Sequence, residues 1–260
     1  MQVIEKVQNL VRDGYDFAFG DYISKAANLL TKNMLSFALF VLFSGLIAVF
    51  SIFIPVLGLL ALYFVLMPAL YAGAFLMARE SDETGQTRVG TGFSGFNVLG
   101  KVLPVWLLML VVYWLANIPY MIVIGPKYFE FFRALQMDPT SISDLQPPSA
   151  GPVSFLLSLI PMYFGIAYSF SLPFVLFKDL GAWEAMEASR KLITKKFFSF
   201  FAFLLVSALI SSLGAFLLLI GLLFTGMFYP LAIYSAFDGI VGVEADAEDD
   251  LAGDIDHLIA

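Results

Sequence analysis

Residues 197–237 read FFSFFAFLLVSALISSLGAFLLLIGLLFTGMFYPLAIYSAF and contain no charged side chain. One membrane-spanning helix needs about 20 apolar residues, so this stretch is long enough for two helices joined by a tight turn. Residues 33–78 are also long enough for two spans, and residues 102–126 and 145–177 for one each. The sequence therefore predicts six spans, near residues 34–53, 55–78, 103–124, 153–177, 197–217 and 219–238.

The composition explains why these stretches must face lipid. The chain has 260 residues, of which 60% are hydrophobic and 13% are charged. A soluble domain has about 25% charged residues, and one of this size cannot bury so much apolar surface. We therefore predict an all-α fold, a polytopic transmembrane helical bundle.

Lys and Arg are distributed unevenly among the predicted loops. Four precede span one, three lie between spans two and three, five between spans four and five, and only Lys127 and Arg133 between spans three and four. With the N-terminus inside, twelve of the fourteen basic residues are cytoplasmic, as the positive-inside rule favours. We predict a bacterial cytoplasmic (inner) membrane protein with both termini in the cytoplasm. Acidic residues near the start also predict that no signal peptide is present.

The predicted transmembrane domain covers residues 1–240, and an acidic cytoplasmic tail covers residues 241–260. The chain after Asp238 carries seven acidic residues and no Lys or Arg. That pattern is typical of a solubilising, disordered end or of an interaction tail. Its charge argues against adhesion of the tail to an anionic lipid surface.

Two segments of the chain resemble each other: GDYISKAANLLTKNMLSF begins at Gly20, and GAWEAMEASRKLITKKFFSF begins at Gly181. The matched positions are Gly20 with Gly181, Tyr22 with Trp183, and, after a two-residue slip, Thr31-Lys32 with Thr194-Lys195, Gly58 with Gly221 and Tyr71 with Tyr234; Pro68 falls one position from the counterpart of Pro230. These matches predict a parallel internal repeat, with repeat A at 20–78 and repeat B at 181–238. The middle pair, 91–178, is either a third, decayed copy or unrelated.

Each repeat begins with a predicted amphipathic helix. Glu187 and Lys191 form an i,i+4 pair in the favourable order, and Asp21 and Lys25 have the same spacing. We expect both helices to lie at the cytoplasmic interface, where they either contact lipid headgroups or a partner, or only pack the rim of the bundle. The candidate headgroup contacts are Lys25, Lys32, Trp183, Arg190, Lys191, Lys195 and Lys196.

The predicted spans contain no Asp, Glu, Lys, Arg or His, and such residues are the usual mark of ion-driven transport. Prolines interrupt several spans, and a pair at corresponding repeat positions points either to a midplane solute site or only to kinks that shape the packing. Asn117 precedes Pro119 by two residues, so its amide is expected to satisfy a freed carbonyl or to contact a solute. The candidate kink or solute positions are Pro68, Asn117, Pro119, Pro173 and Pro230.

Motifs of enzyme chemistry are absent from the sequence. There is no cysteine, and His257 is the only histidine. The chain has no G-x-S-x-G motif, no phosphate-binding P-loop and no metal-binding cluster of His and Asp. We therefore expect no enzymatic activity, no cofactor and no nucleic-acid partner.

Two long stretches carry a resemblance to a known family. They are SLPFVLFKDLGAWEAMEASRKLITKKFFSFFAFLLVSALI at 171–210 and IGLLFTGMFYPLAIYSAF at 220–237, and TGFSGFNVLGK at 91–101 also fits. The chain resembles bacterial six-span integral membrane proteins related to the membrane domain of glycerophosphoryl diester phosphodiesterases, including the YciC-type uncharacterised proteins, from about Gly20 to Asp238. The resemblance implies an inner-membrane protein without assigned activity, because the phosphodiesterase chemistry belongs to a separate soluble domain.

These observations favour one function and leave an alternative open. We expect a non-enzymatic accessory or scaffold protein whose partners are membrane lipids or another membrane protein. The alternative is a transporter or channel for a small neutral or apolar solute, which would use the proline pair and Asn117.

Overall fold

The computed structural model describes residues 2–54, 56–137, 151–216 and 220–243, and every regular element in that part of the chain is helical. The helices are α1 (Gln2–Asp13), α2 (Phe19–Lys32), α3 (Met34–Ile52), α4 (Leu57–Ala61), α5 (Met67–Thr84), α6 (Val89–Phe93), α7 (Leu99–Met137), α8 (Pro152–Ala167), α9 (Ser171–Lys178), α10 (Ala182–Lys195), α11 (Phe197–Ser212), α12 (Ile220–Thr225) and α13 (Phe228–Val241). A π-helical turn, Leu62–Leu66, joins α4 to α5.

Six helical segments are long and apolar enough to cross a membrane, which confirms the predicted all-α, six-span bundle. Spans one to six are Met34–Ile52, Leu57–Thr84, Leu99–Met137, Pro152–Lys178, Phe197–Phe216 and Ile220–Val241. Spans two, four and six are each built from two helices in succession. Many apolar side chains on the outer surface of these spans are exposed, as a lipid solvent requires.

Span three is longer than the sequence predicts. Helix α7 has 39 residues and is about 58 Å long, against a hydrocarbon thickness of about 30 Å. The aromatic segment after Pro126 continues α7 beyond the predicted end of the span at residue 124. A proline removes only one backbone hydrogen bond of a helix, and membrane helices tolerate that loss. The remainder of the outer loop (138–150) and the acidic tail beyond residue 243 lie outside the described residues.

Aromatic rings pack together near the charged end of the bundle, around α9, α11 and α13. The ring of Phe237 lies edge-to-face with Phe170 and Phe174, at centroid distances of 5.4 and 5.0 Å. Phe170 contacts Phe200 in the same way at 5.3 Å. All four side chains are fully buried. Such edge-to-face pairs add to the stabilisation that burial itself provides.

The two segments of the predicted repeat share structural details at a constant sequence offset. Helices α2 and α10 both contain 14 residues. Each is joined to the following span by one residue in nearly the same conformation, Asn33 (φ −125°, ψ 30°) and Lys196 (φ −124°, ψ 38°). A methyl group added to Gly58 would overlap the backbone of Ser51, and one added to Gly221 would overlap the backbone of Gly214. The repeat itself stays a prediction.

Two details predicted for the amphipathic helices are wrong. The constant offset leaves no room for a two-residue slip, so Tyr22 and Trp183 are not equivalent: Tyr22 is 6% exposed and Trp183 is 64% exposed. Lys25 does not pair with Asp21, because two carboxylates from distant parts of the chain, Asp82 and Asp238, lie closer to its ammonium group. The predicted pair of Glu187 and Lys191 is present, at 3.3 Å.

The N-terminal helix α1 has no counterpart among the predicted elements. It packs against α10, and its residue Val7 is buried in the core. Just after it, the hydroxyl of Tyr15 donates a hydrogen bond to the backbone carbonyl of Leu192 at 2.8 Å. Helix α1 and the segment that follows it therefore cover part of α10.

Ion pairs hold several segments together at one end of the bundle. The Nζ atom of Lys25, on α2, lies 2.6 Å from Asp82 at the end of span two and 2.7 Å from Asp238 in span six. At the start of span three, Lys101 pairs with Asp179 beyond span four at 2.5 Å. The distribution of Lys and Arg predicts that this end of the bundle faces the cytoplasm, and that orientation stays a prediction.

Candidate functional site in a groove between spans

Spans two, three, four and six border an open groove of about 290 Å³. Five of its lining residues carry a hydroxyl group: Tyr71, Tyr113, Tyr168, Ser169 and Tyr229. The rest of the lining is apolar: Trp106, Met109, Leu110, Phe164, Gly165 and Leu172. We call this site the tyrosine groove.

A break in span four forms one wall of the groove. Helix α8 ends at Ala167 and α9 begins at Ser171, and between them the backbone N–H groups of Ser169 and Ser171 donate to carbonyls three residues back instead of four. The hydroxyl of Ser189, on α10, donates to the carbonyl of Ala167 at 2.7 Å and accepts from the N–H of Phe170 at 3.1 Å. Irregular backbone within a membrane is tolerated where other groups satisfy it or where it lines a cavity, and both conditions hold here.

A second irregularity lies next to the groove in span two. The π-helical turn Leu62–Leu66 precedes Pro68, and the indole N–H of Trp106 donates to the carbonyl of Tyr63 within this turn at 3.0 Å. The Trp106 ring also lies 6.3 Å from that of Tyr71. π-Helical turns inside α-helices are frequent at functional sites. Trp106 thus connects the irregular turn directly to the groove lining.

The groove lies at the depth of the hydrocarbon core. Tyr71 is eight residues from Arg79 and Tyr229 is nine from Asp238, which places both rings about 12–14 Å along their helices from the charged end. The hydrocarbon core is about 30 Å thick. A groove at this depth opens to the lipid phase and not to water.

Gly165 lines the groove and is not closely packed. A methyl group built on Gly165 would meet no atom within 4 Å, whereas one built on Gly73, in span two, would overlap the carbonyl of Gly92. Gly73 therefore serves close packing between helices. Gly165 instead leaves a space that a larger side chain would fill.

Four of the five predicted kink or solute positions adjoin this groove without lining it. Pro173 follows the lining residue Leu172, Pro230 follows Tyr229, and Pro68 lies one turn before Tyr71. Asn117 donates its side-chain N–H to the carbonyl of Tyr113 at 2.8 Å.

The role predicted for Asn117 in helix α7 needs correction. Pro119 frees the carbonyl of Leu115, four residues before it, yet Asn117 bonds to Tyr113. An Asn side chain reaches the carbonyl four residues back on its own face of the helix more readily than one two residues back. Pro119 itself lies within α7 and is not among the residues that line the groove.

The structure places the predicted headgroup contacts in different surroundings. Lys25 is held by Asp82 and Asp238, while Arg190 and Lys191 both pair with Glu187, at 2.7 and 3.3 Å. The remaining four are unevenly exposed along α2 and α10: Lys32, Trp183 and Lys195 are exposed, and Lys196 is half-buried. Contact of any of these residues with lipid stays a prediction.

Glu187 and Lys25 are among the titratable groups at this end whose pKa values are shifted. A hydrogen bond from Arg190 lowers the pKa of Glu187 below its usual value, against an opposing effect of burial. Burial is the largest influence on Lys25 and lowers its pKa, but hydrogen bonds to Asp238 and Asp82 together outweigh it. The pKa of Lys25 is therefore raised, and its ammonium form is favoured in the folded protein.

Several groove residues were missed by sequence reasoning, above all Trp106, Tyr168 and Tyr229. Trp and Tyr in membrane proteins favour the interface with water. The available signal was that Tyr168 and Tyr229 lie well inside predicted spans and that Trp106 and Tyr229 lie within two residues of a proline. Among the described residues no group of three or more His, Cys, Asp or Glu side chains could hold a metal ion.

Comparison of the chain with family models, with curated proteins and with solved structures finds no match. The resemblance to six-span bacterial membrane proteins therefore stays a prediction.

Proposed function

We propose that this protein is a non-enzymatic accessory protein of the bacterial cytoplasmic membrane that binds a membrane lipid in the tyrosine groove. The observation that carries the proposal is the groove itself. It opens between four spans at hydrocarbon depth and is lined by apolar and hydroxyl-bearing side chains. Ligand sites of proteins are typically concave and apolar with a few polar groups that orient the ligand.

The packing of the bundle supports binding over the alternative of transport. Buried Phe side chains pack the interior near the charged end, and the buried hydroxyls of Ser207 and Ser235 bond to carbonyls of their own helices, at 2.7 and 2.8 Å. A small neutral solute would have to displace these rings to cross the bundle at that level.

The groove lining also supports a role without catalysis. General acid–base chemistry uses side chains such as His, Glu, Asp or Lys, and the groove is lined by none of these. Its tyrosine and serine hydroxyls are suited to hydrogen bonding.

Native mass spectrometry of the protein purified from its own membrane in mild detergent tests this proposal. We expect a reproducible lipid mass on the wild-type chain and its loss from Gly165→Phe, because the new ring fills the groove. Gly45→Phe is the matched control. Gly45 is also a glycine of a span with no atom within 4 Å of an added methyl group, but it lies outside the groove.

Three outcomes are informative. Lipid retained by Gly45→Phe and lost by Gly165→Phe supports the proposal. A wild-type protein without bound lipid, or equal retention by both variants, contradicts it. A reproducible additional protein mass would instead favour a scaffold for a membrane protein partner.

A further inference from the structure

The outer face of α10 carries an excess of positive charge. Its residues recur every three or four positions, as one side of a helix requires: Glu187, Arg190, Lys191, Thr194 and Lys195. Arg190 donates two hydrogen bonds to the Glu187 carboxylate, at 2.8 and 2.7 Å, and Lys191 shares that carboxylate at 3.3 Å. Lys195 is exposed and has no carboxylate partner among the described residues. Three cations therefore face one anion, and we call Arg190, Lys191 and Lys195 the basic face.

The basic face ends where the lipid-facing surface begins. Three residues after Lys195, at the start of span five, the side chain of Phe198 is 84% exposed. An apolar side chain so exposed at the start of a span faces lipid. The lysines of α10 therefore lie at the boundary between the hydrocarbon core and the headgroup layer, where lipid phosphates are found.

Span four connects the basic face to the tyrosine groove. The hydroxyls of Tyr163 and Thr194 are hydrogen-bonded to each other at 2.9 Å. The ring of Tyr163 lies edge-to-face with Phe164 at 5.2 Å, and Phe164 stacks on Tyr168 at 5.6 Å. Phe164 and Tyr168 both line the groove. Only the side chains of Tyr163 and Phe164 separate the polar side of α10 from the groove.

The membrane orientation of the chain does not by itself account for this arrangement. The positive-inside rule requires basic residues in a cytoplasmic loop but not on one face of one helix. At the constant offset between α2 and α10, Ala27 and Asn28 take the positions of Arg190 and Lys191. The excess of positive charge is therefore particular to α10, the helix that borders the groove.

The two surfaces match the two parts of a phospholipid. The groove is lined by no Asp, Glu, Lys, Arg or His, so its lining suits an acyl chain. Clustered Lys and Arg beside a membrane attract anionic lipid headgroups, and hydrogen bonds from such cations to phosphate are among the strong ones. A zwitterionic headgroup carries its own cation and gains less from the basic face.

We infer that the lipid of the tyrosine groove is an anionic phospholipid, whose phosphate lies against Lys191 and Lys195 and whose acyl chain enters the groove. This inference rests on the proposed function and adds the class of lipid. Phosphatidylglycerol represents the class, because its glycerol headgroup adds no cation to the phosphate.

Lipid competition measured by native mass spectrometry tests the class. Phosphatidylglycerol and phosphatidylcholine with identical acyl chains are added in equal amounts to the delipidated protein in a non-ionic detergent, and their different masses allow both bound forms to be counted in one spectrum. The test variant is Lys191→Gln/Lys195→Gln. The control Arg88→Gln/Lys127→Gln removes the same charge from exposed residues outside α10, and Lys191→Arg/Lys195→Arg keeps the charge in place.

We expect the wild-type protein to bind phosphatidylglycerol at least about five-fold more than phosphatidylcholine, which is the contribution of a single lysine near anionic lipid. The preference should disappear from Lys191→Gln/Lys195→Gln. It should persist in the control and in the arginine variant. Gly165→Phe should bind neither lipid, because the new ring fills the groove.

Failures of the two proposals are distinguishable. Equal binding of the two lipids by the wild type, lost from Gly165→Phe, overturns the anionic class and leaves lipid binding in the groove supported. A preference for phosphatidylglycerol that survives in Lys191→Gln/Lys195→Gln, or that the control loses equally, also overturns the role of the basic face. A wild-type protein that binds neither lipid overturns both proposals.

Discussion

The hydroxyl of Ser189 accepts a hydrogen bond from the backbone N–H of Phe170 at 3.1 Å, and the two residues belong to different helices. The same hydroxyl donates to Ala167 at 2.7 Å. One side chain of α10 therefore satisfies both sides of the break in span four. The break forms a wall of the tyrosine groove, so α10 supports the groove from behind.

Ser189→Ala should destabilise the fold by about 1–3 kcal/mol, because it leaves a buried N–H and a buried carbonyl without partners. Thermal unfolding in detergent measures the loss. Ser235→Ala is the matched control: Ser235 is equally buried, but its hydroxyl only adds a second bond to a carbonyl of its own helix. Equal losses for the two variants would show that Ser189 does not support the break.

Gly73→Ala should prevent correct packing of span two against α6. The added methyl group would overlap the backbone of Gly92 in α6, and backbone cannot move aside as a flexible side chain can. Size-exclusion chromatography after detergent extraction should show aggregated protein.

Gly100→Ala is the control for this substitution, since an added methyl group there meets no atom within 4 Å. Alanine in a helix is favoured over glycine by about 0.5–1 kcal/mol, so this variant should be as stable as the wild type or slightly more so. A monodisperse Gly73→Ala protein would refute the close approach of the two backbones.

Lys25→Met should destabilise the charged end of the bundle, because it leaves Asp82 and Asp238 close together without their shared cation. The three side chains are 27–31% exposed. We therefore expect a loss between the roughly 1 kcal/mol of an exposed ion pair and the roughly 3 kcal/mol of breaking a buried one. Lys195→Met, at an exposed lysine, should have little effect, and equal losses would refute the role of Lys25.

The contribution of Lys25 to the stability of the fold should be lost at high pH. Its pKa is raised in the folded protein, so its stabilisation is complete below its unfolded pKa of about 10.4 and is lost as the pH rises through the higher folded value. The stability difference between wild type and Lys25→Met should be constant near neutrality and should narrow above about pH 10.4. A difference that narrows only in acid would contradict this assignment.

The orientation in the membrane can be tested by single cysteines, because the natural chain has none. Met137→Cys, at the exposed end of span three, should react with a membrane-impermeant maleimide in intact spheroplasts. Asn9→Cys, on the exposed side of α1, should react only after permeabilisation. The reverse pattern would overturn the predicted cytoplasmic location of the N-terminus.

The six spans were predictable because the free energy of placing a helix in lipid is close to a sum over its own residues. Residues 197–237 illustrate this, since their uncharged length already required two spans. The end of α10 at Lys195 was predictable for a similarly local reason. The sequence changes there from a segment of mixed charged and apolar residues to a continuous apolar run. The groove was only indirectly visible, through the prolines beside Leu172 and Tyr229.

What the sequence by itself determined is the number of spans, their approximate bounds and the grouping of charges, all of which depend on composition along the chain. Tertiary structure decided which groups meet. Lys25 has Asp21 four residues away but pairs with Asp238, which is 213 residues away. Gly165 and Gly73 are both glycines within predicted spans, yet Gly165 lines a groove and Gly73 packs closely against another helix. The physical reason is that ion pairing and packing depend on distances between helices, and those distances are set only when all the spans assemble.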